Sequence, residues 1–401
     1  MKVLVVGSGG REHALVWKLA QSPELTELHC APGNPGIARD ASCHPVRGED
    51  ADGLLDLARA LDVDLVVVGP ETPLVAGVAD ALRHNGVAVF GPGAAAARIE
   101  GSKSFAKDVL RTAGVPTAQT LAIAQPPCVV KADGLAAGKG VFVCRTQAEL
   151  DAALPAVTAI GRGFVVEELL EGSEVSILAL CDGSNAIPLP AAKDFKRAFD
   201  GDEGPNTGGM GSYSPVPGID HEQLVEQIHR PVLAELSRRG APFTGVLFAG
   251  LMLTADGPRV LEFNCRFGDP EAQSILPRLE SDILGAFAAA ATGDASDVEL
   301  REAADAAVTI VVAAANYPAG GDAGTPIDGI AEAEELGALV FHAGTAQRDE
   351  RILTNGGRIL CVTATGDTVT AARDRAYAAA DQISFPGVRY RRDIAAEAAL
   401  V

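Results

Sequence analysis

Two lysines flank a loop of small residues in Val129-Val130-Lys131-Ala132-Asp133-Gly134-Leu135-Ala136-Ala137-Gly138-Lys139-Gly140-Val141. Glycine and alanine let backbone amides approach phosphate oxygens, and the ammonium groups neutralise phosphate charge. The loop is no Walker A motif, because its glycines are too closely spaced and no Ser or Thr follows Lys139. Phosphate binding and an exposed basic hairpin both remain open for it. A second segment, Val260-Leu261-Glu262-Phe263-Asn264-Cys265-Arg266-Phe267-Gly268-Asp269-Pro270-Glu271, reads as a strand entering a loop. Strand alternation puts Glu262 and Asn264 on one face. Two oxygen ligands so placed suit a Mg²⁺ ion that bridges phosphates. Arg266 continues that face and suits a phosphate or a carboxylate. A solvated polar row on an edge strand is the competing reading.

Two further segments carry weaker signals. Gly7-Ser8-Gly9-Gly10-Arg11-Glu12 follows an apolar strand and opens a helix, so its amides can face an anion. A dinucleotide fingerprint would need a third glycine where Glu12 stands, and an acid at the end of the second strand, where the chain reads Cys30-Ala31-Pro32. A plain tight turn explains the glycines as well. Val165-Val166-Glu167-Glu168-Leu169-Leu170-Glu171-Gly172-Ser173-Glu174 runs from a strand into an acidic turn. It can meet a ribose or an adenine edge, or be an ordinary solvated turn. No nucleophile elbow or Ser-His-Asp order occurs, and the histidines lack metal-ligand spacing.

The elements that must hold these groups follow from periodicity. Strands are expected at Lys2–Val6, Glu27–Ala31, Asp64–Val68 and Val87–Phe90, with helices at Arg11–Gln21, Asp52–Leu61 and Leu74–Arg83. That alternation implies a parallel sheet covered by helices, with ligands at the carboxyl ends of its strands. The middle mixes strands (128–132, 140–144, 163–168, 174–181, 246–253, 259–264) with helices at 102–112, 221–239 and 281–292. The last hundred residues suggest strands at 307–315, 351–354 and 358–365 and a helix over 370–383. Asn355-Gly356 suggests a hairpin joining two of those strands. Gly204–Pro217, rich in Gly and Pro, is expected to be the longest irregular piece, and a loop of that length is often functional.

Bulk properties narrow the partners. The chain has 401 residues and a net charge of −20, which disfavours general nucleic-acid binding. Seven scattered cysteines without a CxxC pair argue against a disulfide framework or structural zinc. With no targeting segment and no apolar run of about 20 residues, a cytoplasmic protein without membrane contact is expected.

In order, VLVVGSGGREHAL, APGNPG, VVGPETPLVAGVAD, GSKSFAKD, VVKADGLAAGKGV, GPNTGGMGSYSP, LEFNCRFGDPE and NGGRILCVTA resemble the glycinamide ribonucleotide synthetase family, from Met1 to about Ile394. The resemblance implies an α/β and α+β multidomain protein. A Rossmann-like N-terminal domain (1–101) would precede an ATP-grasp region (102–300, its small lid lobe about 115–180) and a C-terminal α+β domain (301–401). It implies an ATP-dependent ligase of purine biosynthesis, using Mg²⁺ or Mn²⁺ and joining glycine to phosphoribosylamine through glycyl phosphate. A monomer or weak dimer acting on these small molecules is expected.

By the same resemblance, Lys103 and Lys131 hold ATP phosphates, while Gly138, Lys139 and Gly140 belong to the closing loop. Glu167 and Leu170 frame adenine, and Glu174 meets the ribose. Glu262 and Asn264 are the metal ligands. Arg266, Gly268, Asp269, Asp194, Lys196 and Arg197 surround glycine and the phosphoribosyl group. Gly9, Gly10, Asn34 and Gly36 help hold the sugar phosphate. Lys131, Lys139, Arg266 and Asp194 are the expected catalytic groups. Three departures from the family pattern stand out: a lid shortened near 121–128 and 150–163, Phe195 where a histidine is expected, and no acid in strand 246–253. The last implies fewer fixed ligands for a second metal ion. A different ATP-grasp enzyme, such as a carboxylase, would share the ATP motifs but not GSGGREH, APGNPG or GPNTGGMG. A nicotinamide-binding oxidoreductase is weakened by the missing glycine and acid, and a nucleotide-sensing binding protein by the intact Lys131, Lys139, Glu262 and Asn264.

Overall fold

The computed structural model describes residues 1–136, 140–160 and 163–398. The first hundred residues run β1 (Lys2–Gly7), α1 (Gly10–Leu19), β2 (Glu27–Pro32), β3 (Ser42–Cys43), α2 (Ala51–Leu61), β4 (Leu65–Val68), α3 (Glu71–Ala76), α4 (Val78–His84), β5 (Val89–Phe90) and α5 (Ala94–Gly101). Their sheet is parallel, in the order β3-β2-β1-β4-β5. The chain reverses direction across the sheet between β1 and β4, so a crevice opens at their carboxyl ends. The turn Gly7–Gly10 and the segment Gly69–Glu71 sit on that edge. The single helix expected over 74–83 is two, because Gly77 adopts φ +90° and ends α3.

The middle of the chain adds α6 (Lys103–Ala113), β6 (Cys128–Ala132), β7 (Val141–Cys144), α7 (Gln147–Ala159) and β8 (Phe164–Glu168). Ser102 caps α6 by accepting from the Phe105 amide. The antiparallel sheet β7-β6-β8 with α7 makes a small lobe around Cys128, Val130, Leu150 and Val157. The chain continues through β9 (Ser173–Asp182), β10 (Ala186–Pro188), β11 (Lys193–Asp194), β12 (Arg197–Phe199), β13 (Glu203–Asn206) and β14 (Gly211–Ser214). Thus half of the stretch 204–217 is strand, with irregular chain at 207–210 and 215–217. The helix expected over 221–239 forms as α8 (His221–Leu224), a π-turn (Val225–His229) and α9 (Arg230–Arg238). Pro231 lacks an N–H, which accounts for the widened turn just before it. Strands β15 (Thr244–Thr254) and β16 (Gly257–Asn264) complete the sheet β10-β9-β15-β16. Helices α10 (Glu271–Ile275) and α11 (Ile283–Thr292) follow.

The remainder runs β17 (Ala306–Ala313), β18 (Asp322–Pro326), α12 (Ile330–Glu335), β19 (Leu339–His342), β20 (Thr345–Arg348), β21 (Arg351–Gly356), β22 (Arg358–Gly366) and α13 (Val369–Ala380). One sheet has the order β11-β14-β17-β22-β19, so it recruits two strands from the middle of the chain. The hairpin expected at Asn355-Gly356 does not form. β21 pairs with β18 and β20, β22 pairs with β17 and β19, and Gly356-Gly357 carries the chain from one sheet to the other. The hairpin turn lies instead between β20 and β21, where Arg348 opposes Arg351. Among the described residues, no helix is long and apolar enough to cross a membrane.

Candidate active site

A single cleft of about 1130 Å³ gathers side chains from all three stretches of chain. On one wall, Lys131 of β6 extends its Nζ to Glu167 Oε2 at 2.7 Å and to the Leu261 carbonyl at 2.9 Å. That carbonyl is free because Leu261 is the extra residue of a bulge, with Gly250 opposite Glu262 but Leu251 opposite Val260. The other oxygen of Glu167 takes Lys107 Nζ at 2.8 Å. Lys107 also donates to Thr117 Oγ1 and the Ala118 carbonyl. Burial lowers its pKa, opposed by the Glu167 carboxylate. Lys107 was not among the sequence candidates, although its spacing from Lys103 puts both on one face of α6. Lys103 reaches the Gly134 carbonyl at 3.1 Å, and Asp133 Oδ1 accepts from the Lys103 amide at 2.7 Å, tying the small-residue loop to the helix. Gly140 and Leu170 line the same wall. Gly138 and Lys139 lie outside the described residues.

Glu167, expected beside adenine, lines the cleft next to Leu170; its carboxylate is 2% exposed, with a lysine on each oxygen. Glu174 pairs with Lys196 at 2.8 Å, and Asp194 approaches the same ammonium at 3.3 Å. Lys196 holds Glu174 below the usual carboxylate range, whereas burial pushes Asp194 up against the attraction of Lys196. Glu262 and Asn264 face the cleft, and among the described residues neither side chain has a hydrogen-bond or ion-pair partner. Among the described residues, no group of three or more His, Cys, Asp or Glu side chains is placed to hold a metal ion. β15 contributes Gly250 opposite Glu262, and no acid.

The third wall is built from ion pairs. Arg266 Nε lies 3.1 Å from Glu71 and its Nη2 3.0 Å from Glu100. Burial opposes the Glu71 charge, yet Arg266 and Arg11 draw its carboxyl down to about 2. Arg266 is therefore gripped from below by acids of α3 and α5, which the strand reading did not anticipate. Asp269 is paired with Arg358 at 2.9 Å and accepts from Gln273 at 2.8 Å. Arg358 also donates to the carbonyls of Gly208 and Asp269. Neither Arg358, Glu71, Glu100 nor Arg11 was a sequence candidate, since only tertiary contact assembles them. Arg197 lies at the rim and donates to the Gly204 carbonyl at 2.8 Å. Phe195 packs on Tyr213, with the Arg391 guanidinium 5.1 Å from its ring centroid, so it serves the core as well as the cleft.

The residues expected at the sugar phosphate stand apart from the cleft lining. Asn34 spends both amide hydrogens on the Ser8 and His342 carbonyls, and its Oδ1 accepts from the amides of Gly36 and Ile37. Its side chain has no donor left for a phosphate. A Cβ at Gly36 would meet the His13 ring at 2.3 Å, and one at Gly10 would meet Gln273 at 2.8 Å. Both glycines thus answer to close packing. The Gly9 amide donates to Glu12 Oε2 at 2.7 Å, so the chain's own carboxylate occupies the start of α1. Gly268 lies beneath Glu271, whose Oε2 would stand 2.3 Å from a Cβ there.

The sequence matches three domains of phosphoribosylglycinamide synthetase: the N domain over residues 1–100, the ATP-grasp (A) domain over 101–272 and the C domain over 307–397. It is 52% identical to a phosphoribosylamine–glycine ligase of Streptomyces coelicolor, with 100% of each chain covered. A Rhizobium meliloti protein of the same name is 48% identical, with 98% of each covered. The crystal structure of the phosphoribosylamine–glycine ligase of Thermotoga maritima superposes with a TM-score of 0.86 at 35% identity, covering 98% of this chain and 100% of that one. The biotin carboxylase domain of a Hydrogenobacter thermophilus 2-oxoglutarate carboxylase shares the fold, with a TM-score of 0.71 at 17% identity over 97% of this chain and 91% of the other. On sequence and architecture together, the chain belongs to the phosphoribosylglycinamide synthetase family.

Proposed function

We propose that the cleft joins glycine to 5-phosphoribosylamine, driven by ATP, giving glycinamide ribonucleotide, ADP and phosphate as a step of purine biosynthesis. The observation that carries this reading is the meeting, in one cleft, of the lysines of α6 and β6, the Glu262–Asn264 pair and the carboxyl edge of the parallel sheet. Full-length likeness to ligases of that name supports it.

Lys103 and Lys131 neutralise ATP phosphate charge, with Gly138, Lys139 and Gly140 on the loop above. Because the Glu167 carboxylate is committed to lysines, the backbone between 167 and 170 and the Leu170 side chain take the adenine, and Glu174 takes the ribose. Glu262 and Asn264 suit a hard divalent cation, Mg²⁺ or Mn²⁺, since both present oxygen to the cleft and neither has a hydrogen-bond or ion-pair partner among the described residues. Such an ion would neutralise phosphate charge when bound. Asp194, Lys196, Arg266 and Asp269 surround the glycine and the acyl phosphate made from it.

The chemistry is positioning and charge compensation. The glycine carboxylate attacks the γ-phosphorus, the bond to ADP breaks, and glycyl phosphate forms. The phosphoribosylamine nitrogen then attacks the acyl carbon and phosphate leaves. Arg266, held on Glu71 and Glu100, meets the developing phosphate charge without having to reorganise. The acceptor lies toward the Gly7–Gly10 turn, where Gly9 comes close to Asp269. Gly10, Asn34 and Gly36 shape that turn without touching the acceptor. The test is ADP and phosphate release with ATP, Mg²⁺ and glycine, with and without phosphoribosylamine generated in situ. Formation of ADP and glycinamide ribonucleotide in step, only when all substrates are present, is the expected result. ATP turnover independent of the amine would move the acceptor assignment elsewhere.

A further inference from the structure

The ligase reading leaves one proton unplaced. As the amine nitrogen becomes an amide nitrogen, it must lose a proton. No histidine lies among the described residues of the cleft. Its carboxylates are nearly all neutralised, with a lysine or arginine within 4.0 Å. Among the described residues of the cleft, only Glu262 and Glu271 have no such cation. Glu262 belongs to the proposed metal pair, which leaves Glu271.

Glu271 is 4% exposed and opens α10, at the end of the loop that carries Arg266 and Asp269. Its Oε1 is held by a neutral donor, the Ser176 hydroxyl, at 3.1 Å. Its Oε2 lies over Gly268 in the space a side chain there would fill. The charged groups facing it are Asp194 and Lys196 from the β11–β12 segment, Arg266 from its own loop and Arg358 from β22. It lines the cleft with Arg266 and with Asp269, on whose Gly9 side the acceptor is placed.

We propose that Glu271 is the base that takes the proton from the attacking phosphoribosylamine nitrogen, a role that rests on the ligase reading. The C–N bond forms to the acyl carbon, the C–O bond to the phosphoryl group breaks, and phosphate departs with that electron pair. The nitrogen's proton goes to Glu271 Oε2 and afterwards to solvent. Burial and the neighbouring Asp194 carboxylate lift the Glu271 carboxyl to about 7, which suits a base working near neutrality.

The test separates the two chemical steps in the full-length protein. Ribose 5-phosphate lacks the amine, so with it in the acceptor site the reaction stops at glycyl phosphate. Positional exchange of ¹⁸O between the bridging and non-bridging oxygens of ATP reads that step. Glu271→Gln is expected to keep this exchange while glycinamide ribonucleotide formation falls about 10²–10⁴-fold. The wild-type rate of amide formation should rise with pH through about 7 and level off, and the variant should lose that limb. Equal loss of exchange and amide formation, or an unchanged limb in the variant, would overturn the proposal. If Glu271→Gln does not fold, Glu271→Asp decides: a shifted limb supports the base and an unshifted one overturns it. A wild-type chain that forms no glycinamide ribonucleotide at all would overturn the ligase reading, and this proposal with it.

Discussion

Arg358, at the start of β22, lies 2.9 Å from the Asp269 carboxylate although 89 residues separate them along the chain. The same guanidinium holds the Gly208 and Asp269 carbonyls, so one side chain from the last hundred residues fixes two cleft loops. Arg358→Ala leaves the largely buried Asp269 carboxylate, 15% exposed, without its paired cation. Loss of one partner of such a pair costs about 3–5 kcal/mol. Urea denaturation should show that loss, and Arg358→Lys should recover only part of it because an ammonium cannot reproduce the fork. A variant as stable as wild type would contradict the clamp.

Lys131 and Lys107 share the two oxygens of Glu167, but of the pair only Lys131 is assigned to phosphate. Lys131→Ala should weaken ATP binding about tenfold to a hundredfold, as expected for a charge-assisted contact of about 1.5–3 kcal/mol, with little change for glycine. Lys107→Ala should weaken ATP binding less, by releasing Glu167 and letting Lys131 drift. Calorimetric titration of each variant checks the order, and normal ATP affinity in Lys131→Ala would sink the assignment.

Glu262 is the sole acid of the proposed metal pair, since β15 brings Gly250 opposite it. Glu262→Gln should sharply lower turnover while thermal unfolding stays near wild type, because among the described residues the side chain has no hydrogen-bond or ion-pair partner to lose. Activity at saturating Mg²⁺ equal to wild type would count against the metal role.

Stability should depend on pH through buried histidines. His13 Nδ1 accepts from the His342 amide at 2.7 Å, and burial draws both imidazoles from their ordinary 6.5 down to about 3. The unfolded chain binds these protons more readily than the folded one. Their contribution is therefore intact above about 6.5 and is lost as pH falls toward 3. Each such group steepens the loss by up to about 1.4 kcal/mol per pH unit. Denaturant midpoints measured from pH 7 downward should fall, and less steeply in a His13→Gln variant.

The parallel sheet and its glycine turns were legible because period-two runs ending in glycine leave few alternatives. Lys131, Glu262 and Asn264 were legible for the same reason, as strand residues whose face follows from alternation. Helix α7 was not, since Pro155 sits inside it and its apolar stripe is faint. The Asn355 turn misled because a local turn signal cannot say which sheet each flanking strand joins. Arg358, Glu71 and Glu100 face the cleft only through tertiary contacts, and no local spacing announces them. Asn34 illustrates the converse: its motif was legible, but only in the folded chain is its amide consumed by backbone.

The five-stranded sheet of β11, β14, β17, β22 and β19 has a consequence for synthesis on the ribosome. Asp194 leaves the exit tunnel on β11, yet β17, the strand that must flank β14, is still roughly a hundred residues from being made. Closing the sheet also needs β22, roughly 170 residues beyond Asp194, so at about 5–20 residues per second the nascent chain waits on the order of 10–30 s. Until then β14 exposes an unpaired edge, and the cleft lacks Arg358. The newborn chain is thus dormant for a period set by translation rate.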